Sequence, residues 1–287
     1  MRYLNLEKNQ QNLFLKQIKT KIACPWKQIA KILNVDRSMV YFYLNEHSKL
    51  PYESYDKLCS LAKINPEAVK TMEIKNKQVE IKSPPLNELF SEFLGALAGD
   101  GHVNKINYEV SISMDKDLDG AYCDHITQLF KKLFNIHSRR YVQKNKVKCF
   151  VYSKELVNFL SENYKIPVGK KKGRLHIPLQ VKSNKNLLKA YIRGVFDTDG
   201  SFNRHHLNDA MVGIACRDKI FMEELKNTLQ YLNFTASHSN KNLYIYQKKE
   251  IDRFFKEIKP SNMKHIKKYL YYKQYGRVPL TRELINR

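Results

Sequence analysis

The chain has 287 residues and carries 51 Lys and Arg against 28 Asp and Glu, a formal net charge of +23. With 43% hydrophobic and 11% aromatic residues it is too apolar for intrinsic disorder, and it is long enough for two domains that each bury a core. No apolar run approaches the roughly 18 residues of a membrane span, the opening MRYLNLEKNQQ lacks a signal peptide's apolar stretch, and five scattered cysteines without a CxxC pair speak against disulfides or a zinc knuckle.

A positive excess of this size implies a polyanionic partner, because Lys and Arg that neutralise phosphates release condensed counterions. The alternative of a ribosomal or merely solubilised surface is weighed by where the charge lies. It is positive throughout and densest from residue 173 onward, with 22 basic against 10 acidic side chains.

In chain order, the pattern first predicts short helices over 9–22, 26–33, 37–45, 51–63 and 66–72, then a polar linker, Glu73–Pro85, ending in two prolines. The boundaries expected are a domain at 1–75, a linker at 76–85, and two further subdomains at 86–180 and 181–287. In the first domain Ile29, Ala30, Leu33, Val40 and Leu44 have the spacing of two helices meeting at a tight turn. Asn34 suits a left-handed turn residue. Asp36 or Ser38 can cap the second helix, leaving Arg37, Ser38, Met39, Tyr41 and Phe42 outward. Residues 10–72 resemble the phage-repressor (Cro/C1-type) helix-turn-helix family. The resemblance implies DNA binding through Arg37, Ser38 and Tyr41; the alternative is a small helical bundle for protein contacts.

Beyond the linker, helix, two strands, helix, hairpin and helix over 86–98, 102–114, 117–134, 138–152 and 153–163 recur in the same order over 185–197, 201–216, 218–232, 235–247 and 248–258. This is an internal duplication. The two opening helices read Phe93-Leu-Gly-Ala-Leu-Ala-Gly-Asp-Gly101 and Ile192-Arg-Gly-Val-Phe-Asp-Thr-Asp-Gly200. Small residues at i and i+4, Gly95 with Gly99 and Gly194 with Thr198, offer a smooth face for close helix packing. Each helix then ends in an acid and a glycine able to adopt positive φ. Two carboxylates, Asp100 and Asp199, would converge 99 residues apart in sequence. The helix dipole disfavours acids at that end, so the pair reads as a divalent-metal site rather than a stability device.

Residues 86–272 resemble the single-chain, two-motif LAGLIDADG homing endonucleases. The resemblance implies an α+β protein: an all-α helix-turn-helix domain followed by a pseudo-twofold duplicated αββαββα fold with antiparallel DNA-binding sheets. It implies a site-specific, intron-encoded double-strand DNA endonuclease, monomeric, using Mg²⁺ or another divalent cation such as Mn²⁺ on a long pseudo-palindromic target, in the cytoplasm with the nucleoid or in an organelle. Asp100 and Asp199, with Gly99 and Thr198 beside them, form the expected metal set. Lys170 or Lys171, and Lys264, are the candidates for a basic side chain near the scissile phosphate, with a solvated, phosphate-clamping run as the other reading of 170–172. Ala98 departs from the motif where Asp197 keeps an acid, a difference expected to touch capping and packing. Met1 and an end without His-Asn argue against an intein origin.

Strand parity assigns the DNA faces. A Lys144-Asn145 turn puts Arg139, Tyr141, Gln143, Lys146 and Lys148 on one face and Val142, Val147, Cys149 and Val151 on the other. An Asn240-Lys241 turn likewise exposes Ser237, Ser239, Asn242, Tyr244 and Tyr246. Lys105, Asn107, Ser111, Asn203 and His205 complete the groove-facing set. His205-His206 has no further ligand at metal spacing and reads as a DNA contact or surface pair. The alternative function is a non-cleaving DNA-binding regulator or an intron RNA maturase on the same scaffold.

Overall fold

The computed structural model describes residues 2–66, 71–73, 81–206, 209–239, 241–281 and 283, in two compact units, Met1–Lys77 and Gln78–Arg287. The first contains β1 (Arg2–Leu4), α1 (Gln10–Ile22), α2 (Trp26–Leu33), α3 (Arg37–Leu44), α4 (Tyr52–Leu61) and β2 (Thr71–Glu73). Leu15, Ile18, Ile29, Ala30, Leu33, Val40, Leu44 and Leu58 form its core. Asn34 takes φ 54° between α2 and α3, and Asp36 rather than Ser38 is the cap, its carboxylate accepting from the Ser38 N–H at 2.9 Å. Buried Gln11 ties α1 to the segment after α3, donating to the Tyr43 and Ser48 carbonyls at 2.7 and 2.8 Å and accepting from the Leu50 N–H at 2.7 Å.

Three expectations for this unit are corrected. It is not all-α, because β1 and β2 pair antiparallel from Arg2↔Glu73 to Leu4↔Thr71. The helix expected over 66–72 gives way to β2 at its end, with residues 67–70 outside the described residues. A strand whose ladder partner lies at the other end of the unit leaves no local periodicity to read. Met39 is half-buried against the core rather than outward.

The second unit repeats one order. Its first half contains α5 (Glu88–Ala98), β3 (Gly101–Asn104), β4 (Glu109–Asp115), α6 (Gly120–Phe134), β5 (Arg139–Gln143), β6 (Lys146–Tyr152) and α7 (Lys154–Asn163). After the short α8 (Leu179–Lys182) come α9 (Lys185–Asp199), β7 (Gly200–His205), β8 (Asp209–Ala215), α10 (Lys219–Tyr231), β9 (Ser237–His238), β10 (Asn242–Ile245), α11 (Lys248–Ile258) and α12 (Met263–Tyr275). The fold is mixed α+β with two antiparallel four-stranded sheets, ordered β3-β4-β6-β5 and β7-β8-β10-β9. In both, the first, second, fourth and third strands of a half stand side by side.

One face of each sheet is covered by helices. Phe90, Phe93, Phe130 and Phe134 fill the first half and Phe196, Phe202, Phe254 and Phe234 the second, all fully buried. α8 and α12 were not anticipated. α12 stacks Tyr269 on Phe255 with ring centres 4.0 Å apart and sets Tyr272 edge-on to Phe202 at 5.7 Å, closing the core beside β7.

Candidate active site and nucleic-acid interface

α5 and α9 pack backbone to backbone. A Cβ on Gly95 would lie 3.0 Å from the Tyr191 carbonyl carbon, and one on Gly194 would lie 2.6 Å from the Ala96 nitrogen. At the end of the seam a Cβ on Gly99 would stand 2.9 Å from Thr198 Cβ and 3.2 Å from Asp199 Oδ2, so the helix termini bearing the two acids are in contact. The following glycines serve a purpose other than positive φ. Gly200 is extended at φ −87°, ψ 162°, and a Cβ there would meet the Phe196 ring at 2.7 Å; one on Gly101 would meet the Leu97 carbonyl carbon at 2.8 Å. They let each chain fold back over its own last helical turn.

The two acids are not equivalent. Asp199 is the last residue of α9 and half-buried, whereas Asp100 lies beyond the α5 cap Gly99 and is exposed at the rim. Burial, followed by the charge of Asp100, pushes the Asp199 carboxyl up to about 7, with Lys171 opposing. Desolvation also raises Asp100, partly offset by Lys171, Lys264 and Lys146 and reinforced by Asp119. Both acids thus hold their protons more tightly than free carboxyls, chiefly because burial disfavours their charged forms.

Lys171 bears electrostatically on both acids. Its ammonium donates to the carbonyls of Leu97 at 3.3 Å, Ala98 at 3.0 Å and Gly99, seating a cation on the negative end of α5. Lys170 is exposed, whereas Lys171 is half-buried. The Gly99 carbonyl accepts from Lys171, and the Thr198 hydroxyl donates back to the Gly194 and Val195 carbonyls, both at 3.0 Å, which leaves each oxygen a lone pair for further bonding.

Lys264 comes from the equivalent place in the second half, in the first turn of α12. Each lysine stands four residues beyond a proline, Pro167 or Pro260, a regularity that would have chosen Lys171 over Lys170. Lys264 pairs with Asp119 at 2.9 Å, and the Gly173 N–H donates to Asp218 at 2.6 Å. The segment after each half thus crosses to the acid that precedes α6 or α10 of the other half. Asp119 and Asp218 repeat the 99-residue offset of Asp100 and Asp199, a signal the sequence carried and motif reading passed over. Asp197, at the position of Ala98, accepts from the Ser261 and Asn262 N–H groups at 2.7 and 3.1 Å, and burial raises its carboxyl.

Beside Asp199 opens a cleft of about 650 Å³ lined by Lys171, Lys172, Arg217, Lys241 and Asp218 among others. Arg217 was not singled out from sequence, Lys241 was read only as a turn residue, and Lys172 only as part of the phosphate-clamping run 170–172. Among the described residues no group of three or more His, Cys, Asp or Glu could cage a metal ion. Two facing carboxylates with raised affinity for protons suit instead an ion such as Mg²⁺, which takes one or two carboxylates and fills its remaining positions with water and phosphate oxygen.

On the first sheet Gln143 pairs with Lys146 and Tyr141 with Lys148, the register expected from the Lys144-Asn145 turn. Arg139, Tyr141, Gln143 and Lys146 are exposed, and Lys148 bonds Glu109 at 3.0 Å, so its charge is locally matched. Val147, Cys149 and Val151 are buried, but Val142 is 45% exposed because β5 is an edge strand without helix cover. Lys105 and Asn107 occupy the exposed β3–β4 turn, whereas Ser111, only 2% exposed, sits under its cross-strand neighbours His102 and Phe150. On the second sheet Asn203, His205, Asn242, Tyr244 and Ser237 share a face. His205 packs on Tyr246 at 4.4 Å, Tyr246 stacks on Tyr244 at 5.6 Å, and Asn203 accepts from Lys268 at 3.2 Å. Ser239 is exposed; Asn240 lies outside the described residues. In the first unit Arg37, Ser38, Tyr41 and Phe42 are exposed along α3, with Arg37 donating to the Tyr41 hydroxyl at 3.3 Å. No helix among the described residues is long and apolar enough to cross a membrane.

Residues 186–259 match a family described as a LAGLIDADG-like domain. The chain is 28% identical over 235 residues to the glutamine–fructose-6-phosphate aminotransferase of Methanocaldococcus jannaschii, covering 78% of this chain and 20% of that protein. It is 29% identical over 124 residues to the same organism's replication factor C small subunit, covering 42% and 6%. The chain therefore spans a fifth or less of the curated relatives it matches. Among solved structures, the homing endonuclease I-WcaI bound to its DNA recognition sequence is 18% identical, with 65% of this chain and 86% of that one covered at a TM-score of 0.47. The N-terminal LAGLIDADG domain of DUF199/WhiA is 19% identical, with 64% and 87% covered at 0.43.

Proposed function

We propose that the protein is a site-specific, metal-dependent DNA endonuclease that acts as a monomer on a long pseudo-palindromic duplex. The observation that carries the reading is the contact of two glycine-seamed helix ends, each delivering one acid, with Lys171 seated on the carbonyls at the end of α5 beside them. Acids gathered in a basic chain oppose phosphate binding and raise each other's pKa, a cost without purpose in a protein that only binds DNA. The matched LAGLIDADG-like stretch lends support. The matched curated proteins are named for an aminotransferase and a replication factor, are far longer, and lend this chain no activity.

In this reading Asp100 and Asp199 hold the cation, which supplies Lewis-acid activation of water and charge stabilisation at phosphate oxygens. Lys171 and Lys264 place positive charge beside the scissile phosphates, where charge develops in the transition state. Arg139, Tyr141, Gln143 and Lys146 of the first sheet, and Asn203, His205, Asn242, Tyr244 and Ser237 of the second, face the major groove, with Lys105, Asn107, Lys148 and Ser239 at its margins. The α2–α3 pair of the first unit adds DNA contacts through Arg37, Ser38 and Tyr41.

The test is cleavage of a randomised duplex library with Mg²⁺, followed by sequencing of the cut ends. Recovery of one long site, cut on both strands by wild type and on neither by Asp199→Asn, is expected. A wild-type protein that selects a site and leaves it intact under Mg²⁺ and Mn²⁺ would establish the non-cleaving DNA-binding alternative.

A further inference from the structure

The two lysines of the site are held in different ways. Lys171 sits on three carbonyls at the end of α5, a seat that Ala98 leaves open. Lys264 has no such seat, because the Asp197 carbonyl at the end of α9 accepts from the Asn262 side chain at 2.9 Å. Its ammonium is instead fixed by Asp119 Oδ1, which also receives the Asn262 amide at 2.7 Å.

Asn262 itself is 1% exposed and fully engaged. Its amide nitrogen donates to Asp119 and Asp197, its backbone N–H donates to the Asp197 carboxylate, and its Oδ1 accepts from the Lys264 N–H at 3.0 Å, capping α12. A buried amide with this many partners is costly to leave half-satisfied and therefore has one arrangement. A lysine on a four-carbon stem loses its aim without such a fixture.

We propose that Asn262, locked by Asp197, is a positioning residue that sets Asp119 and thereby aims Lys264 at the Asp100 side of the site, so that the two strands are cut by centres with different supports. The proposal rests on the endonuclease reading above. It also gives the Asp197/Ala98 departure between the motifs a role: the acid is kept where the lysine needs an indirect hold and absent where the helix end holds it directly.

The test separates positioning from folding by Asn262→Ser, since serine still caps α12 but cannot bridge to Asp119. On a duplex labelled at both 5′ ends, Lys264→Met identifies the strand this lysine serves. Asn262→Ser is expected to slow that same strand roughly tenfold or more, leave the other within about twofold, and keep the wild-type Tm within a few degrees. Acylation of Lys264 by an N-hydroxysuccinimide ester, read by mass spectrometry, should rise in Asn262→Ser while that of Lys171 stays unchanged. Equal slowing of both strands, a bias opposite to that of Lys264→Met, or unchanged Lys264 acylation would overturn the proposal. A wild-type protein that binds its site and cuts neither strand removes the endonuclease reading itself, an outcome visible before any variant is made.

Discussion

Gly95 and Gly194 hold equivalent places on α5 and α9, and each occupies a point where the facing helix backbone leaves no room for a Cβ. The closest neighbours are backbone atoms, which cannot rotate away as a side chain could. This contact fixes how near the two helices run and so how near Asp100 and Asp199 finish.

Gly194→Ala should therefore separate the helices or strain them, with a loss of about 1–3 kcal/mol or more. Thermal unfolding should register a Tm several degrees lower. Gly120→Ala is the control, since a Cβ there meets nothing within 4 Å; a similar Tm for both variants would contradict the close approach.

Asp199→Asn should stop cleavage and stabilise the metal-free protein. The Asp199 carboxyl holds its proton to about 7 in the folded state against 3.8 as a free side chain. The native state therefore binds more protons across that window, and stability is lost as pH rises from about 4 to 7. Urea unfolding in EDTA should show the variant gaining on wild type through this range and levelling above it, by about 1–2 kcal/mol after solvent screening. Parallel stability curves for the two proteins would show that Asp199 titrates normally.

The same shift predicts how cleavage responds to pH. A protonated Asp199 cannot hold a cation, so at limiting Mg²⁺ the rate should climb through about pH 7. Because metal and proton compete for the carboxylate, raising Mg²⁺ should move the rise to lower pH. A midpoint that ignores Mg²⁺ would place the titration on another group.

Lys171→Met removes the cation seated at the end of α5, which bears on both acids. Single-turnover cutting should fall about 10²-fold or more, while binding to the target duplex changes by less than about tenfold, as expected for one phosphate contact among many. Lys170→Met, altering an exposed neighbour, should leave the cutting rate close to wild type.

Arg37→Ala and Tyr41→Ala should weaken DNA binding, with Arg37→Ala also reducing the salt slope by about one, without changing the rate of bound-state cutting. Affinity measured at several salt concentrations checks this. Binding by both variants indistinguishable from wild type would remove α3 from DNA recognition.

Much of the second unit was readable in advance because its instructions are local. The parity of Tyr141, Gln143, Lys146 and Lys148 gave the β5–β6 register, and the repeated glycine-acid endings marked two equivalent helices. The β1–β2 pair was not readable, since its strands are three residues each and pair across nearly the whole length of the unit, from Arg2↔Glu73 to Leu4↔Thr71. Val142 lies on the face that alternation gives it, opposite Val147, yet stays 45% exposed: alternation says which way a side chain points, but whether that side is covered is set elsewhere in the chain.

The sequence by itself determined the duplication, the pairing of Asp100 with Asp199 and the residue types offered on the sheets, because periodicity, spacing and backbone preference act between near neighbours. Only the tertiary structure decided that Lys171 is seated on the α5 carbonyls, that the glycines after the acids clear their own helix, and that Asn262 joins Asp119 to Asp197. Those outcomes depend on distances between segments remote in the chain, fixed when the burial of two phenylalanine-filled cores brought the halves together along a seam too narrow for a methyl group.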